Sequence, residues 1–532
     1  MKILITLIAV TILGFSACSN EKPVDKIIIT RDTSINVSNA FSELFLDSIK
    51  IEEFIKSANL SKASASDLRD FYRNRNYQFA WFTEDGLAEQ ASAFWNLHIN
   101  FVKYTEDSSM MNKWLHRQMD LLLNERLQLP AEEILRTELQ LTSHFFEYVS
   151  YAFEGKVDPS ELQWHIPKKK VNAVSLLDSL VANKGRNLEE WIPLNSYYKK
   201  LKEHLLFYYD LEKQDGIKNI SLGKAKSLKP GDSALAIQQL KHLLKVLGDY
   251  KGNDMSAIYD PGFEPAVKQA QMRFGLKQDG VIGPATIQEF TVPAERRIEQ
   301  ILINLERMRW MPKEPDPDRI FVNIPDFKLH VFEAGKKVFD INVVVGTAAN
   351  RTVVFTDKLK YVVFSPYWNI PRSIVKNEIL PAMNANPGYL ARNNMEQTGT
   401  SNGLPVIRQK PGPGNALGKV KFIFPNSYSI YFHDTPAKSL FSRENRAFSH
   451  GCIRLEEPVR MANYLLKNQS SWTAEKIDEA MNAGVEKWVS LEKPVPVIIS
   501  YFTAWVDNRG LLNFRKDIYG HDKKTGERLF ER

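Results

Sequence analysis

The chain has 532 residues, 43% hydrophobic and 25% charged, long enough for two to four packed domains and too ordinary in composition to be disordered or collagen-like. Its formal charge of +7 suits an acidic polymer as partner, and bacterial cell wall and nucleic acid both qualify. The chain holds no Lys/Arg-rich run with interleaved aromatics and no helix-turn-helix, zinc-finger or RNA-binding signature, so no nucleic-acid partner is expected.

The chain begins with Lys2, an apolar run from Ile3 to Gly14, and small residues Ser16 and Ala17 directly before Cys18. This is the pattern of an export signal, too short to span a bilayer. Phe15-Ser16-Ala17-Cys18 resembles a bacterial lipobox. The resemblance implies a lipoprotein signal over residues 1–18, lipidation of Cys18, and a periplasmic protein held to a membrane of a Gram-negative bacterium. Ser19 after the cysteine favours the outer membrane under the rule known for enterobacterial lipoproteins. Cleavage without lipidation is the alternative. Only one other cysteine exists, Cys452, so no internal disulfide can form once Cys18 is lipidated or removed. A lone thiol carried into an oxidising compartment points to chemistry more than to packing.

A polar tether is expected over 19–39 and a helical scaffold domain over 40–215. In the latter, Leu135, Leu139, Phe146, Val149 and Phe153 recur at helical spacing, with Gly155 as a C-cap. Its aromatic cluster, Phe71-Tyr72 and Tyr77 to Phe82, reads as core. Residues 227–290 form a second unit. Ile237, Leu240, Leu244 and Leu247 share one helical face, Val267, Ala270 and Phe274 another, and Pro284 opens a third helix. The blocks Leu228-Lys229-Pro230-Gly231-Asp232-Ser233 and Asp279-Gly280-Val281-Ile282-Gly283-Pro284-Ala285-Thr286 resemble the small three-helix peptidoglycan-binding domain. Such a domain can bind wall or serve only as a spacer. A linking helix over 294–312 places Ile298, Leu302 and Leu305 on one face, with Pro312 as its stop. From 319 to 503 the period turns to alternation, as in Ile320, Val322, Ile324 and then Phe339, Ile341, Val343, Val345, with Gly335 in a turn. The last stretch, 504–532, is polar and aromatic and matches no element pattern.

The chemistry-bearing residues lie in the alternating region. Tyr431-Phe432-His433-Asp434-Thr435-Pro436 is followed, after fifteen residues between His433 and Ser449, by Ser449-His450-Gly451-Cys452-Ile453-Arg454. A cysteine nucleophile needs a base within reach, because the free thiol is only slightly ionised at neutral pH. It also needs donors for an oxyanion, and a glycine before it lets backbone N–H groups approach a carbonyl. His450, two residues from Cys452 in an extended segment, sits roughly 6–7 Å away and too far to be the base. His433 can be set opposite the cysteine by an adjacent strand. Zinc on His433, His450 and Cys452 has no fourth ligand at a recognisable spacing, so neither a metal nor a cofactor is expected.

A His, a spacer of this length and Ser-His-Gly-Cys resemble the signature of the YkuD-type L,D-transpeptidases. Pro366-Tyr367-Trp368-Asn369-Ile370-Pro371 and Pro411-Gly412-Pro413-Gly414-Asn415-Ala416-Leu417-Gly418-Lys419 extend the resemblance toward the large, YcbB-like branch. Ser365 stands where that branch is expected to carry Asn. The implied fold is multidomain α+β: helical scaffold, three-helix peptidoglycan-binding domain and β-rich catalytic domain. The implied partners are peptidoglycan stem peptides and glycan. The implied reaction has Cys452 attack the carbonyl between the third and fourth residues of a donor stem, releasing D-Ala and forming an acyl-thioester. His433 is then the base, the N–H groups of Gly451 and Cys452 the oxyanion donors, and a 3→3 cross-link the product. Carbapenems are the implied covalent inhibitors. His450 and Ser449 are expected to shape the loop or bind substrate, and Arg454 either to hold a stem carboxylate or to brace the fold. Chain order, base before nucleophile, argues against papain-like peptidases. An L,D-carboxypeptidase, an enzyme attaching proteins to the wall, and a non-catalytic tethering lipoprotein remain as alternatives.

Overall fold

In the computed structural model, which describes residues 42–125, 128–188, 192–214 and 217–530, the helical pattern of the first part becomes helices such as Lys62–Asn74, Glu89–Thr105, Ala131–Val149 and Ser196–Lys213. The signal, Cys18 and the tether lie outside the described residues. Short polar side chains begin several of these helices: Ser61, Asn112, Asn172 and Asn195 each accept a first-turn amide, which satisfies a donor the helix itself leaves open. The aromatic cluster is core, as its composition predicts. Phe71, Tyr72, Trp81 and Phe82 are buried, and they close over the carboxylate of Glu138, which accepts from the Ala80 and Trp81 amides and the Tyr72 hydroxyl. Burial still pushes that carboxyl up to about 7, since lost hydration outweighs three donors.

Helices Leu235–Val246, Glu264–Arg273 and Pro284–Phe290 form the three-helix unit, with Pro at the first position of the third. Ala270 is fully buried there. The linking helix, Ala294–Trp310, departs from expectation. Beyond its exposed first turn at Glu295 and Arg296 it shows no solvent face, because Arg297, Asn304, Glu306, Arg307 and Arg309 are buried along with Ile298, Leu302 and Leu305. The scaffold, the catalytic domain and the C-terminal segment surround it, and each polar residue is matched: Arg309 pairs with Glu306 and Arg307 with Asp522, both at 2.6 Å, while Asn304 exchanges hydrogen bonds with Thr503. Unpaired charges would not survive this burial.

The alternating region closes into a ring. Its strands run in the order Val420–Ile423, Phe432–His433, Ile453–Leu455, Lys336–Gly346, Lys328–Glu333, Arg319–Asn323, Lys487–Ser500 and Val354–Phe364. The last of these pairs back onto Val420–Ile423. Ile320, Val322, Leu329, Val331, Ile341, Val343 and Val345 fill the interior. Strand Lys328–Glu333 and the helical turn at Ile324–Asp326 were not resolved by the alternation pattern. The scaffold contributes Trp164–His165 as an added strand beside Val354–Phe355, so the domains share one sheet.

Residues 504–530, which match no sequence pattern, are tightly built in. Ala504–Val506 and Leu512–Phe514 make a two-stranded ribbon, and His521–Leu529 is a helix. Phe514 stacks on Phe274 of the three-helix unit at 5.8 Å, Arg515 pairs with Asp326 of the catalytic sheet at 2.6 Å, and Asp522 meets Arg307.

Candidate active site

Alternation explains which side chains meet at the site. Phe432, Ile453 and Leu455 point into the ring's core, so their neighbours His433 and Arg454 face outward. Strands Phe432–His433 and Ile453–Leu455 pair in parallel, with Phe432 opposite Ile453 and His433 opposite Arg454. Cys452, two residues before Arg454, therefore shares this outer face. The residue across from it is Tyr431, whose carbonyl accepts the Ile453 amide. This corrects the expectation that the strand sets His433 itself opposite the cysteine.

Over this face lies a segment with its own small apolar core of Ile370, Ile374, Val375, Ile379 and Ile407, carried by the three-stranded sheet of Trp368–Asn369, Leu404–Gln409 and Met395–Ser401. His433 is only 4% exposed. Its Nδ1 donates to the Asp434 carbonyl oxygen. A carbonyl can only accept, so the proton sits on Nδ1 and Nε2 is left as a free acceptor. The Asp434 carboxylate meanwhile accepts from Lys419 N and pairs with Lys438, which fixes the loop holding the imidazole. Burial, with the Arg454 charge adding, pulls His433 down to about 3, and the ring is neutral at any ordinary pH.

Cys452 is a free thiol, half-buried. Burial raises its pKa, opposed by hydrogen bonds from the backbone and hydroxyl of Tyr431 and by the charge of Arg454. The thiol donates to the Ser429 carbonyl at 3.5 Å, rather than to His433. The resting pair is thus neutral and not yet in hydrogen-bond contact, a loose geometry that catalytic pairs adopt without substrate.

Gly451 has φ +114, a backbone region that side chains avoid, which accounts for glycine before Cys452. Its N–H donates to Ser449 Oγ, and that hydroxyl donates on to the Cys452 carbonyl. Ser449 is buried and ties the turn together, and the Gly451 amide is committed to it, contrary to the expectation that this amide is an oxyanion donor. His450 turns away from the thiol. Its Nε2 meets Glu378 Oε1 of the cover at 2.9 Å, with both side chains about half exposed. Arg454 enters no ion pair among the described residues, and its Nε is buried without a partner, so it does not brace the fold through charge. Ser365 donates to the Ala480 carbonyl and accepts the Gly484 amide, a loop-closing role.

Tyr431 is the site residue that sequence reasoning passed over. Its hydroxyl meets the Cys452 sulfur and accepts from the indole of Trp368, and its ring centroid lies 5.8 Å from that of His433. Its place two residues before His433 was a usable signal, since alternation puts both on one face. A cavity lined by Phe321, Phe332, His330, Phe502 and Trp505 lies on a different part of the sheet, against the linking helix, and holds none of these residues.

Residues 317–497 match the L,D-transpeptidase catalytic domain family, 66–205 a scaffold domain, and 233–289 the peptidoglycan binding domain family. A curated relative from Haemophilus influenzae, named "Putative L,D-transpeptidase", is 34% identical over 242 residues, covering 42% of this chain and 48% of the relative. The chain thus spans about half the length of the curated relative it matches. Among solved structures, an L,D-transpeptidase from Stackebrandtia nassauensis overlaps 52% of this chain and 96% of its own at 16% identity and TM-score 0.22. One from Xylanimonas cellulosilytica overlaps 52% and 98% at 14% identity and TM-score 0.19.

Proposed function

From a chain that carries an L,D-transpeptidase catalytic domain beside a peptidoglycan-binding domain, we propose a cysteine transpeptidase that forms 3→3 cross-links between peptidoglycan stems. The observation that carries the reading is the shared outer face of Cys452, Tyr431 and His433, with the imidazole proton held on Nδ1. As a donor tetrapeptide binds, the thiol leaves the Ser429 carbonyl and passes its proton to His433 Nε2 while Sγ attacks the carbonyl carbon between residues three and four. The oxyanion forms against the Cys452 N–H and the Tyr431 hydroxyl. Collapse breaks the C–N bond, the His433 proton goes to the departing D-Ala amine, and a thioester remains. The side-chain amine of an acceptor stem then attacks the thioester carbon, giving its proton to His433. The new amide forms, the C–S bond breaks, and the proton returns to sulfur. Arg454, unpaired beside the thiol, is placed to hold a stem carboxylate bidentately. His450, through Glu378, holds the covering segment over the motif.

The three-helix unit is read as the wall-holding module and Cys18 as a lipid anchor in the periplasm, each raising the local concentration of substrate without touching the chemistry. The test incubates the pure protein with muropeptides and identifies products by mass. A dimer of stems lighter than its parents by one D-Ala, absent with Cys452→Ala, is the expected result. Tripeptide without dimer would make the protein an L,D-carboxypeptidase, product formed only with a protein amine would make it a wall-attaching enzyme, and no thioester at all would reduce it to a tether. Cys18→Ala is expected to move the protein from the membrane to the soluble fraction with turnover intact, and unchanged fractionation would remove the anchor.

A further inference from the structure

Tyr519 lies beyond the residues that match the catalytic domain and far in sequence from the motif, yet its phenol is buried behind the nucleophile. Its hydroxyl donates to the Gly346 carbonyl at 2.6 Å and accepts from the Thr352 amide at 3.3 Å. It therefore pins both ends of the loop that leaves strand Lys336–Gly346. Thr352, also buried, accepts the Gly346 amide at its Oγ1, and the same hydroxyl donates to the Gly451 carbonyl at 2.8 Å. The loop grips the motif a second time where the Thr347 amide donates to the Ser449 carbonyl at 3.0 Å. Nothing larger than hydrogen fits at Gly346, where a Cβ would lie 2.0 Å from the Asn350 carbonyl oxygen, so the loop has one tight path.

The contact with Gly451 has a particular consequence. The carbonyl of Gly451 and the N–H of Cys452 belong to one planar trans peptide and point in opposite directions. A hydroxyl that fixes the first therefore aims the second, and the Cys452 N–H is the oxyanion donor of the proposed reaction. We propose that Tyr519, acting through Thr352, is a positioning residue that aims the Cys452 amide at the substrate carbonyl, so that the C-terminal segment is a working part of the active site. This rests on the transpeptidase reading above. Tyr519 is itself held from behind: its amide donates to the Tyr501 hydroxyl, which donates to the Asp517 carboxylate, and the two rings stack at 5.6 Å.

Tyr519→Phe in the full chain removes only the hydroxyl, and Thr352→Val removes the next link while Thr352→Ser keeps it. Three readouts separate the outcomes: Cys452 acylation by a carbapenem, Cys452 alkylation by iodoacetamide, and hydrogen exchange of residues 447–455. Small displacements of catalytic geometry cost up to about a hundredfold. Acylation is expected to slow about tenfold or more in Tyr519→Phe and Thr352→Val, with wild-type behaviour in Thr352→Ser. The double variant should be no slower than the worse single one, because both cut the same chain. Exchange in 447–455 should quicken. Alkylation, which needs no oxyanion donor, should stay within about twofold at every pH. Acylation within about twofold of wild type in Tyr519→Phe overturns the proposal. So does a rise in alkylation of more than about twofold alongside the fall in acylation, which would mark plain unfolding that exposes the thiol. Quickened exchange in a protein whose Cys452 never acylates even as wild type would instead sink the transpeptidase reading, and the positioning role with it.

Discussion

The electrostatics of the pair make a sharp prediction about Cys452 alkylation. Burial raises the Cys452 thiol and pulls His433 down to about 3, so moving the proton from sulfur to imidazole at rest is strongly uphill. The resting pair at neutral pH is therefore thiol and neutral imidazole, with thiolate a minor species. The rate of iodoacetamide alkylation should therefore climb about tenfold per pH unit from pH 6 to at least 9, with no shoulder at neutral or acid pH. His433→Gln should keep that climb, since the imidazole does not hold the resting thiolate, yet lose at least about a hundredfold in carbapenem acylation, where proton transfer is required. A plateau in wild-type alkylation reached by pH 6 or 7 would refute the reasoning, and would show a preformed ion pair.

Acid should loosen the scaffold through His98, which packs against His144 and Trp95 and is pulled down to about 3 by burial first and then by its histidine neighbours. A depressed histidine favours folding fully above its unfolded pKa near 6.5 and loses that contribution as pH falls, about 2 kcal/mol between pH 7 and 5. Urea unfolding at both values should show the loss in wild type and not in His98→Phe, and equal losses would refute it. Gly451→Ala meets only ordinary contact, its new Cβ 3.6 Å from the Arg351 carbonyl oxygen, so the cost is backbone strain of about 1–3 kcal/mol. Thermal melts should show that shift together with a loss of acylation, and full activity in the alanine variant would mean the turn is not held at positive φ. Asp249→Ala strips the partner from Arg273, a pair buried to 5% and 0% exposure that also reaches the Leu512 carbonyl. Calorimetry should find about 3–5 kcal/mol lost, and a loss under about 1 kcal/mol would show the pair to be solvated.

The order of domains was legible from periodicity and short blocks because those are local: a helix buries every third or fourth residue and a strand every second, whatever it packs against. The Ser449-His450-Gly451-Cys452 block with His433 upstream likewise pointed to the groups proposed to react, and its glycine is the residue the turn requires, since Gly451 stands at φ +114. What each group touches was decided elsewhere. Parallel register put Tyr431, not His433, across from Cys452. A cover folded from residues far from the motif captured His450 through Glu378. The linking helix, expected to show one apolar face, is buried on every side from Ile301 to Trp310 because three other parts of the chain surround it. The stretch from 504 onward, without any readable pattern, carries the tyrosine that holds the loop behind Gly451. Hydrogen bonds and burial across a hundred residues or more leave no period in the chain, because each partner's spacing is set by the path of the backbone between them, and only the closed fold brings the two ends of that path together.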